Sequence, residues 1–536
     1  MKSALVILSS QYCGNDLTAE FGTLPPAMLP VGAKRLFEHQ VERHAEAGEK
    51  IILTLPESYA LPRHDAQLLD QQGVSVIWLP ESMSLVEAVS SVLTNTRYKR
   101  IALLFGDTLL LQPPQGGDNL FTVAKTLAHY PWSSVDRVSK TELRIVKDHW
   151  VDSEEREVLC GYFVFDQVDY LLECCTESET FDKALTMYAA ANPVRIASVE
   201  NWLDFGHRST FYQSRRSMLV SRSFNSISVD GHRVTKTSSD KKKIAAESRW
   251  FENLPTQLKI YIPHHLNLKY DSSAYSLEYL YLPTLAELSV FASLPSHSWR
   301  LIVNSCAEFL IEAQQAFHCQ SEMLTSPPEL VSEKLIGEKS RERVAEFLDR
   351  QSLISEDVLV INGCEHPPLS DVVDQLISLI PPTTVQNCTV MHGDFFFGNI
   401  LFDFTSERIK VIDPRGCFTP EFQGMVGDIR YDIAKLAHSV IGGYDNIIAG
   451  RFSTLKIAEN RYQHSVVKTT SEISREHLFK TMVIKGHDFW NAEIQAITAL
   501  LFLSMLPLHS DDKNRQEALM CTGLEIAQGV LNPNRK

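Results

Sequence analysis

The sequence predicts a multidomain protein of combined α/β and α+β character: a strand-helix alternating domain over residues 1–218, a small mixed lobe over 219–284, and a mainly helical lobe over 285–536. Three observations lead there. Short β-branched runs alternate with amphipathic segments through the first domain, the grammar of a sheet flanked by helices. The period changes near Asp230-Gly231, where a DG pair between two alternating runs signals a hairpin. Beyond Pro283 the helical period dominates, and 536 residues exceed what one hydrophobic core holds.

Within the first domain the runs ALVIL (4–8), KIILTL (50–55), VSVIWL (74–79) and RIALLF (100–105) read as strands. Between them RLFEHQVERHAEAG reads as a helix closing at Gly48, and YFVF (162–165) and FDKALTMYAA continue the alternation. The small lobe begins with NSISVDG and HRVTKTS. KIAAESRWFENLP follows, with Ile244, Glu247, Trp250, Phe251 and Leu254 at helical spacing, and two short strands are expected at 258–262 and 275–281. In the last lobe the strand pair ILFDF and IKVIDP interrupts the helices.

Composition narrows the function classes. Hydrophobic residues make up 44% and charged residues 22%, as in an ordered globular protein. With 51 basic against 66 acidic residues the net charge is −15, which argues against nucleic acid as a partner. Ten cysteines without metal-ligand spacing suit reduced thiols and a cytoplasmic location. The longest apolar run, IQAITALLFLSML (494–506), is too short for an ordinary transmembrane segment, and MKSALVILSS reads as a first strand.

The densest chemical signal is VMHGDFFFGNILFD followed by IKVIDPRG. A carboxylate at Asp394, after His392-Gly393, can orient or deprotonate a hydroxyl, while Asn399 and Asp413 offer hard oxygen ligands suited to Mg2+. HGDFFFGN and the following VID resemble the aminoglycoside phosphotransferase and choline kinase superfamily, whose fold is bilobal and protein-kinase-like. The resemblance covers roughly 220–525. It implies Mg2+ and ATP as cofactors, Asp394 as catalytic carboxylate, His392 as its support, and Asn399 and Asp413 as metal ligands. It further implies Lys236 as the phosphate-binding lysine, with Lys241, Lys242 and Lys243 as alternatives, and Glu247 as its carboxylate partner. Asn225 and Ser226 would lie in the hairpin covering the nucleotide, and Glu278, Tyr279 and Leu280 would receive adenine. In GDIRYDIAKLAHS, Asp428 would brace the catalytic loop with Asp432 nearby.

In the first domain, Asp107 ends a strand in FGD and Asp204 sits in WLDFG; two carboxylates so placed can share a metal beneath a nucleotide phosphate. LPPAMLPVGAKRLFEHQVERHAEAG, FGD, GYFVF and WLDFG resemble the sugar-phosphate nucleotidyltransferases over roughly 1–215, implying a three-layer, Rossmann-like fold, CTP or another NTP as ligand, and Asp107 and Asp204 as metal ligands. Three departures weaken the implied catalysis. The early nucleotide-wrapping loop, here SSQYCGNDLTAEFGT, has no arginine, and the family's first catalytic lysine falls at Pro26. A second lysine is not recognisable in DSEEREVLC, where Arg156 is the nearest cation, and Lys34 and Arg35 match positions outside the principal phosphate clamp.

The expected function is therefore an ATP-dependent phosphotransferase acting on a small-molecule hydroxyl (sugar, amino alcohol or polyol), fused to a nucleotidyltransferase-like domain that takes a phosphorylated small molecule or sugar nucleotide. Fused chains of these two families feed activated-precursor synthesis for surface polysaccharide or lipid head groups. Two alternatives stand beside it: a kinase with a non-catalytic nucleotide-binding module, and a non-enzymatic interaction protein. Phe395, Phe396, Phe397, Phe489 and Trp490 are candidates either for an aromatic acceptor pocket or for core.

Overall fold

A computed structural model of the chain describes all residues except 1–2, 47, 96–97, 115, 117–118, 127–129, 131, 138–142, 147–155, 223–226, 267–273, 320–326, 352–357, 417–423 and 533–536. The chain divides into two compact units: Met1–Met218 with Phe291–Ser293, and Leu219–Val290 with Leu294–Lys536. Among the described residues no helix is long and apolar enough to cross a membrane.

The first unit is α/β, built on a nine-stranded mixed sheet. Ser3–Leu8 lies at its centre, parallel to both Lys50–Pro56 and Arg100–Phe105, and Val74–Leu79 extends the parallel part. Arg156–Phe165 joins Arg100–Phe105 antiparallel. Ala4 to Ile7 are all fully buried, as a central parallel strand covered on both faces requires, and this is why the run reads ALVIL rather than alternating. Ala4, Val6 and Leu8 pack into one cluster with Val86, Val89, Leu171 and Leu185, supplied by three helices. The first of these helices, Leu85–Thr94, opens with a capping box in which Ser84 and Glu87 satisfy each other's backbone N–H groups.

The second unit begins with a four-stranded antiparallel sheet in the order Ile227–Asp230, Arg233–Thr237, Ala274–Glu278, His265–Leu266. The helix Lys241–Asn253 packs on it through Glu247, which accepts from the Tyr275 hydroxyl, and Phe251, stacked on His265, while the buried Trp250 turns to Met391 and His392. Residues 258–262, expected as a strand, instead fall in the 3₁₀ helix Thr256–Tyr261 between Pro255 and Pro263. Leu258 and Tyr261, three apart, face inward together while Ile260 is exposed, a spacing that period-two reading misassigns.

The remainder is mainly helical. IQAITALLFLSML forms the helix Ala492–Ser504, buried nearly all round and packed against Ile429–Val440 and Lys513–Leu531. Its apolar character thus belongs to a core helix. On the strand Arg461–Val466, His464 is enclosed between the hydroxyls of Thr454 (2.7 Å) and Thr522 (2.9 Å). Burial pushes its pKa from 6.5 to about 4.

Between those values the unfolded chain binds a proton that the folded chain refuses. This contribution to stability is therefore complete above pH 6.5 and is lost as the pH falls toward 4, by up to about 3 kcal/mol. His464→Gln is expected to flatten the fall in thermal midpoint between about pH 6.5 and 4.5. Equal slopes in the two proteins would refute the assignment.

Candidate functional site

In the second unit two short antiparallel strands, Cys388–Val390 and Val426–Asp428, set the geometry. Their pairing continues as Met391 N–H donating to Met425 O at 2.8 Å, so the loop after the first strand emerges beside the helix Ile429–Val440 that follows the second. That helix supplies Asp432, whose carboxylate accepts the backbone N–H of His392 at 2.7 Å and of Gly393 at 2.8 Å. Gly393 adopts φ +79°, and a Cβ there would meet the Arg415 Cβ at 2.8 Å, so only glycine fits this turn without displacement. Burial raises the Asp432 carboxyl to about 7, against the two N–H bonds that favour its anion.

Asp428 has another role than the brace implied by resemblance. It caps the same helix, accepts from Thr383 at 2.6 Å, and pairs with Arg430 at 2.6 Å. The loop N–H groups point toward the first helical turn rather than its cap, which is why the residue four positions later does the bracing.

His392 is fully buried, donates from Nε2 to Ile412 O at 3.0 Å, and accepts Asp394 N–H on Nδ1 at 3.3 Å. Burial lowers its pKa to about 4, so it stays neutral and ties the Asp394 loop to the residue preceding Asp413. Asn399 donates from Nδ2 to both the backbone O and Oδ2 of Asp394, each at 3.0 Å, which leaves its Oδ1 uncommitted within the loop. Asn399 O accepts Ile412 N–H at 3.0 Å, so the hairpin of Ile400–Asp403 with Arg408–Val411 returns Asp413 beside Asn399. Asp413 itself adopts φ +53°, a left-handed conformation that aspartate tolerates better than most residues.

Lys236, on Arg233–Thr237, reaches Glu247 at 2.8 Å and Asp413 at 3.1 Å. Glu247 is buried and also accepts from the Tyr275 hydroxyl at 3.0 Å. Burial alone would lower the Lys236 pKa, but Asp413 and Glu247 outweigh it and hold the ammonium above its ordinary value. Of the alternatives, Lys243 lies 4.0 Å from Glu247 and is well exposed. The structure thus gathers His392, Asp394, Asn399, Asp413, Lys236 and Glu247, while Asn225 and Ser226 lie outside the described residues. Glu278 ends the strand Ala274–Glu278 and Tyr279 follows it, and their N–H groups donate to His264 O and His232 O.

Sequence reading missed Lys435. One turn beyond Asp432, it pairs with Asp394 at 2.9 Å. Burial alone would raise the Asp394 pKa, but Lys435 prevails and keeps the carboxylate below its ordinary range. The Asp394 and Asp413 side chains remain 39% and 40% exposed, reachable by a ligand despite these pairings. Of the aromatics of the region, Phe395, Phe397 and Phe489 are core, Phe395 stacking on Phe309 and Phe397 on Trp299, whereas Phe396 and Trp490 are only partly buried and the Phe396 ring lies 5.9 Å from Lys435 Nζ.

Metal suitability follows from the donors. Among the described residues no three His, Cys, Asp or Glu side chains converge as a metal centre. Asn399 Oδ1 and the Asp413 carboxylate provide two hard oxygens, the number a phosphate-bound Mg2+ takes from protein while phosphates and water supply the rest.

In the first unit the Gln40 side chain donates to the carbonyls of Phe105, Gly106 and Thr108 (3.0, 3.1 and 2.8 Å) and thereby fixes the turn presenting Asp107. Trp202–Asp204 pairs with Thr108–Leu110, so Asp204 arrives beside that turn. Gly206 closes the gap, since a Cβ there would lie 2.6 Å from Asp107 Oδ2 and 3.5 Å from Asp204 Oδ1. Burial, reinforced by Asp107, raises the Asp204 carboxyl to about 8, and burial raises Asp107 as well.

Two cavities, of about 400 and 240 Å3, meet at Asp107. Asp204, His207, Trp132 and Trp202 line the first; Ser9 to Gly14, Pro26 and Gly206 line the second. Among the described lining residues there is no lysine or arginine. Lys34 and Arg35 do not supply the missing charge. Arg35 is buried against Asp65 at 2.7 Å and donates to Met28 O, and Lys34 pairs with Glu42 at the surface.

No family model matches the chain, and no curated protein matches it. Solved structures are similar to it. CTP:phosphocholine cytidylyltransferase from Streptococcus pneumoniae is 14% identical, with 41% of this chain and 100% of that chain covered at a TM-score of 0.34. UDP-glucose pyrophosphorylase from Acinetobacter baumanii is 16% identical over 42% and 95% at 0.34. A nucleoside-diphosphate-sugar pyrophosphorylase from Vibrio cholerae RC9 is 14% identical over 40% and 99% at 0.33. The likeness falls on the N-terminal half, and at these identities and scores it carries no argument about what that half does.

Proposed function

We propose that the second unit is a Mg2+- and ATP-dependent phosphotransferase with a bilobal, protein-kinase-like fold, acting on the hydroxyl of a small molecule. The observation that carries this reading is the ion-pair chain Glu247–Lys236–Asp413, set beside the Asp394–Asn399 pair through His392 and the Ile412–Asn399 hydrogen bond. Glu247 holds Lys236 where it would meet nucleotide phosphates. Asn399 and Asp413 would hold Mg2+, which when bound offsets charge on the transferring phosphoryl group.

Asp394 orients the acceptor hydroxyl and takes its proton as the new oxygen–phosphorus bond forms and the bond to the β,γ-bridging oxygen breaks, releasing ADP. Because the N–H groups of Glu278 and Tyr279 are already engaged, adenine would find its backbone donor at Leu280. His392 acts by position, being neutral and buried.

For the first unit we propose a module that binds a nucleotide, CTP among the candidates, or a sugar nucleotide without transferring it. Its described cavity walls lack the cations that transfer of a nucleotidyl group requires. The convergence of Asp107 and Asp204 favours the second reading, active nucleotidyl transfer onto a phosphorylated small molecule. One assay separates them. With Mg2+, each NTP and a panel of hydroxyl and phosphorylated acceptors, ADP formation without pyrophosphate is expected, abolished by Lys236→Met with nucleotide affinity falling about tenfold or more. Metal-dependent pyrophosphate release would overturn the binding-module reading. Unchanged ATP affinity in folded Lys236→Met would overturn the kinase assignment.

A further inference from the structure

The surroundings of Asp394 hold more basic side chains than phosphoryl transfer assisted by Lys236 and a metal requires. Lys339 and Arg343 stand one turn apart on the helix Lys339–Gln351. Lys339 Nζ lies 6.0 Å from the centre of the Tyr431 ring, whose hydroxyl is 3.5 Å from an Arg415 guanidinium nitrogen. Arg415 is held there by its own backbone, which donates to His392 O at 2.8 Å. Tyr431 and Lys435 are successive turns of one helix, so Tyr431 links Lys339 and Arg415 to the Lys435–Asp394 pair.

The local acids do not neutralise this group. Asp394 is matched by Lys435, Asp432 is spent on two backbone N–H groups, and Glu346 pairs with Arg350 at 2.5 Å. Among the described residues Lys339, Arg343 and Arg415 make no ion pair; Arg343 donates to the Ser504 carbonyl at 3.2 Å. Burial, together with Arg415, Arg343 and Lys435, pushes the Lys339 pKa down to about 5, so at neutral pH this amine is uncharged, and an anion bound beside it would draw it to its protonated form.

Resting on the phosphotransferase reading above, we infer that the acceptor is an anionic small molecule, a hydroxyl compound whose carboxylate or phosphate ester is bound by Lys339, Arg343 and Arg415 while its hydroxyl meets Asp394. Guanidinium and ammonium groups suit both oxyanions, and the shared requirement is a fixed negative charge within a few bonds of the hydroxyl. The aromatic residues nearest the loop argue in the same direction. Phe395 and Phe397 are wholly buried in packing, and the half-buried Phe396 ring is already met by Lys435 Nζ at 5.9 Å.

The test uses the full chain with MgADP present and three probes of matched size: glycerate, glycerol 3-phosphate and glycerol, with ethanolamine as the cationic control. Calorimetric affinity for at least one anionic probe is expected to exceed that for glycerol and ethanolamine by about tenfold or more. The comparison of glycerate with glycerol 3-phosphate separates carboxylate from phosphate recognition. Lys339→Met and Arg343→Met are each expected to erase that preference while MgADP affinity, the folding control, is kept. With MgATP, the same variants should raise KM for the anionic acceptor more than they lower kcat.

Equal binding of neutral and anionic probes, absence of binding by both anions, or preference for ethanolamine overturns the inference. A uniform fall in kcat for every acceptor with KM unchanged would also overturn it, placing the cations on the transferring phosphoryl group instead. Failure to bind MgADP at all strikes the phosphotransferase reading itself, and the two failures are thereby distinct.

Discussion

Asp394→Asn is expected to lower kcat by at least about 100-fold while leaving MgATP affinity within a few-fold of the parent protein. The substitution keeps the size of the side chain but removes the charge that accepts the hydroxyl proton. It also breaks the charge match with Lys435, which is buried and would face an amide in place of a carboxylate. The fold of the loop should survive, because His392 and Gly393 are held by Asp432 rather than by Asp394. Steady-state turnover, nucleotide calorimetry and thermal denaturation on one preparation check all three statements. Near-normal turnover by the folded variant would sink the catalytic assignment.

Asp432→Asn is expected to cut kcat by about 10- to 100-fold through a different route, with hydrogen exchange at the His392 and Gly393 amides accelerated. Each carboxylate oxygen accepts one of the two N–H groups, whereas an asparagine offers one oxygen and turns an NH2 toward the other donor. A buried N–H left without an acceptor costs about 1 to 3 kcal/mol, enough to loosen the turn that carries Asp394. Mg-nucleotide affinity should change little, since Asp413 is paired with Lys236 and Asn399 is held through Ile412, contacts that do not pass through Asp432. Exchange at those two amides unchanged from the parent would refute the brace.

These two residues illustrate how differently the site could be seen in the chain. His392, Asp394, Asn399 and Asp413 lie on one loop and the hairpin that follows, so their spacing along the sequence already constrained them to be neighbours. Lys236 and Glu247 follow from a strand and the next helix, with the helical period placing Glu247 on the buried face beside Trp250 and Phe251. The α/β character of the first unit was likewise legible, because strands buried on both faces leave unbroken apolar runs.

Other features had no local signature. A strand-like alternation at 258–262 became a 3₁₀ turn because Pro255 and Pro263 bound it and three-residue spacing buried Leu258 with Tyr261. Asp428 drew attention from its motif, yet the pairing of Cys388–Val390 with Val426–Asp428 set the loop against the first turn of the helix, where Asp432 waits. Arg35, already outside the principal phosphate clamp by its position in the motif, is committed by packing to Asp65.

The sequence by itself determined which chemical groups are present, and which of them must be close because few residues separate them: the carboxylate, amide and second carboxylate of the candidate site, and the absence of cationic residues at Pro26 and in the early loop. Only the tertiary structure decided the electrostatic surroundings of those groups. Lys435 reaches Asp394, and Lys339, Arg343 and Arg415 gather near it, from separate helices and a loop remote in sequence. Charge acts through space, so its balance at a site depends on which helix faces turn inward, and no spacing along one chain segment encodes that.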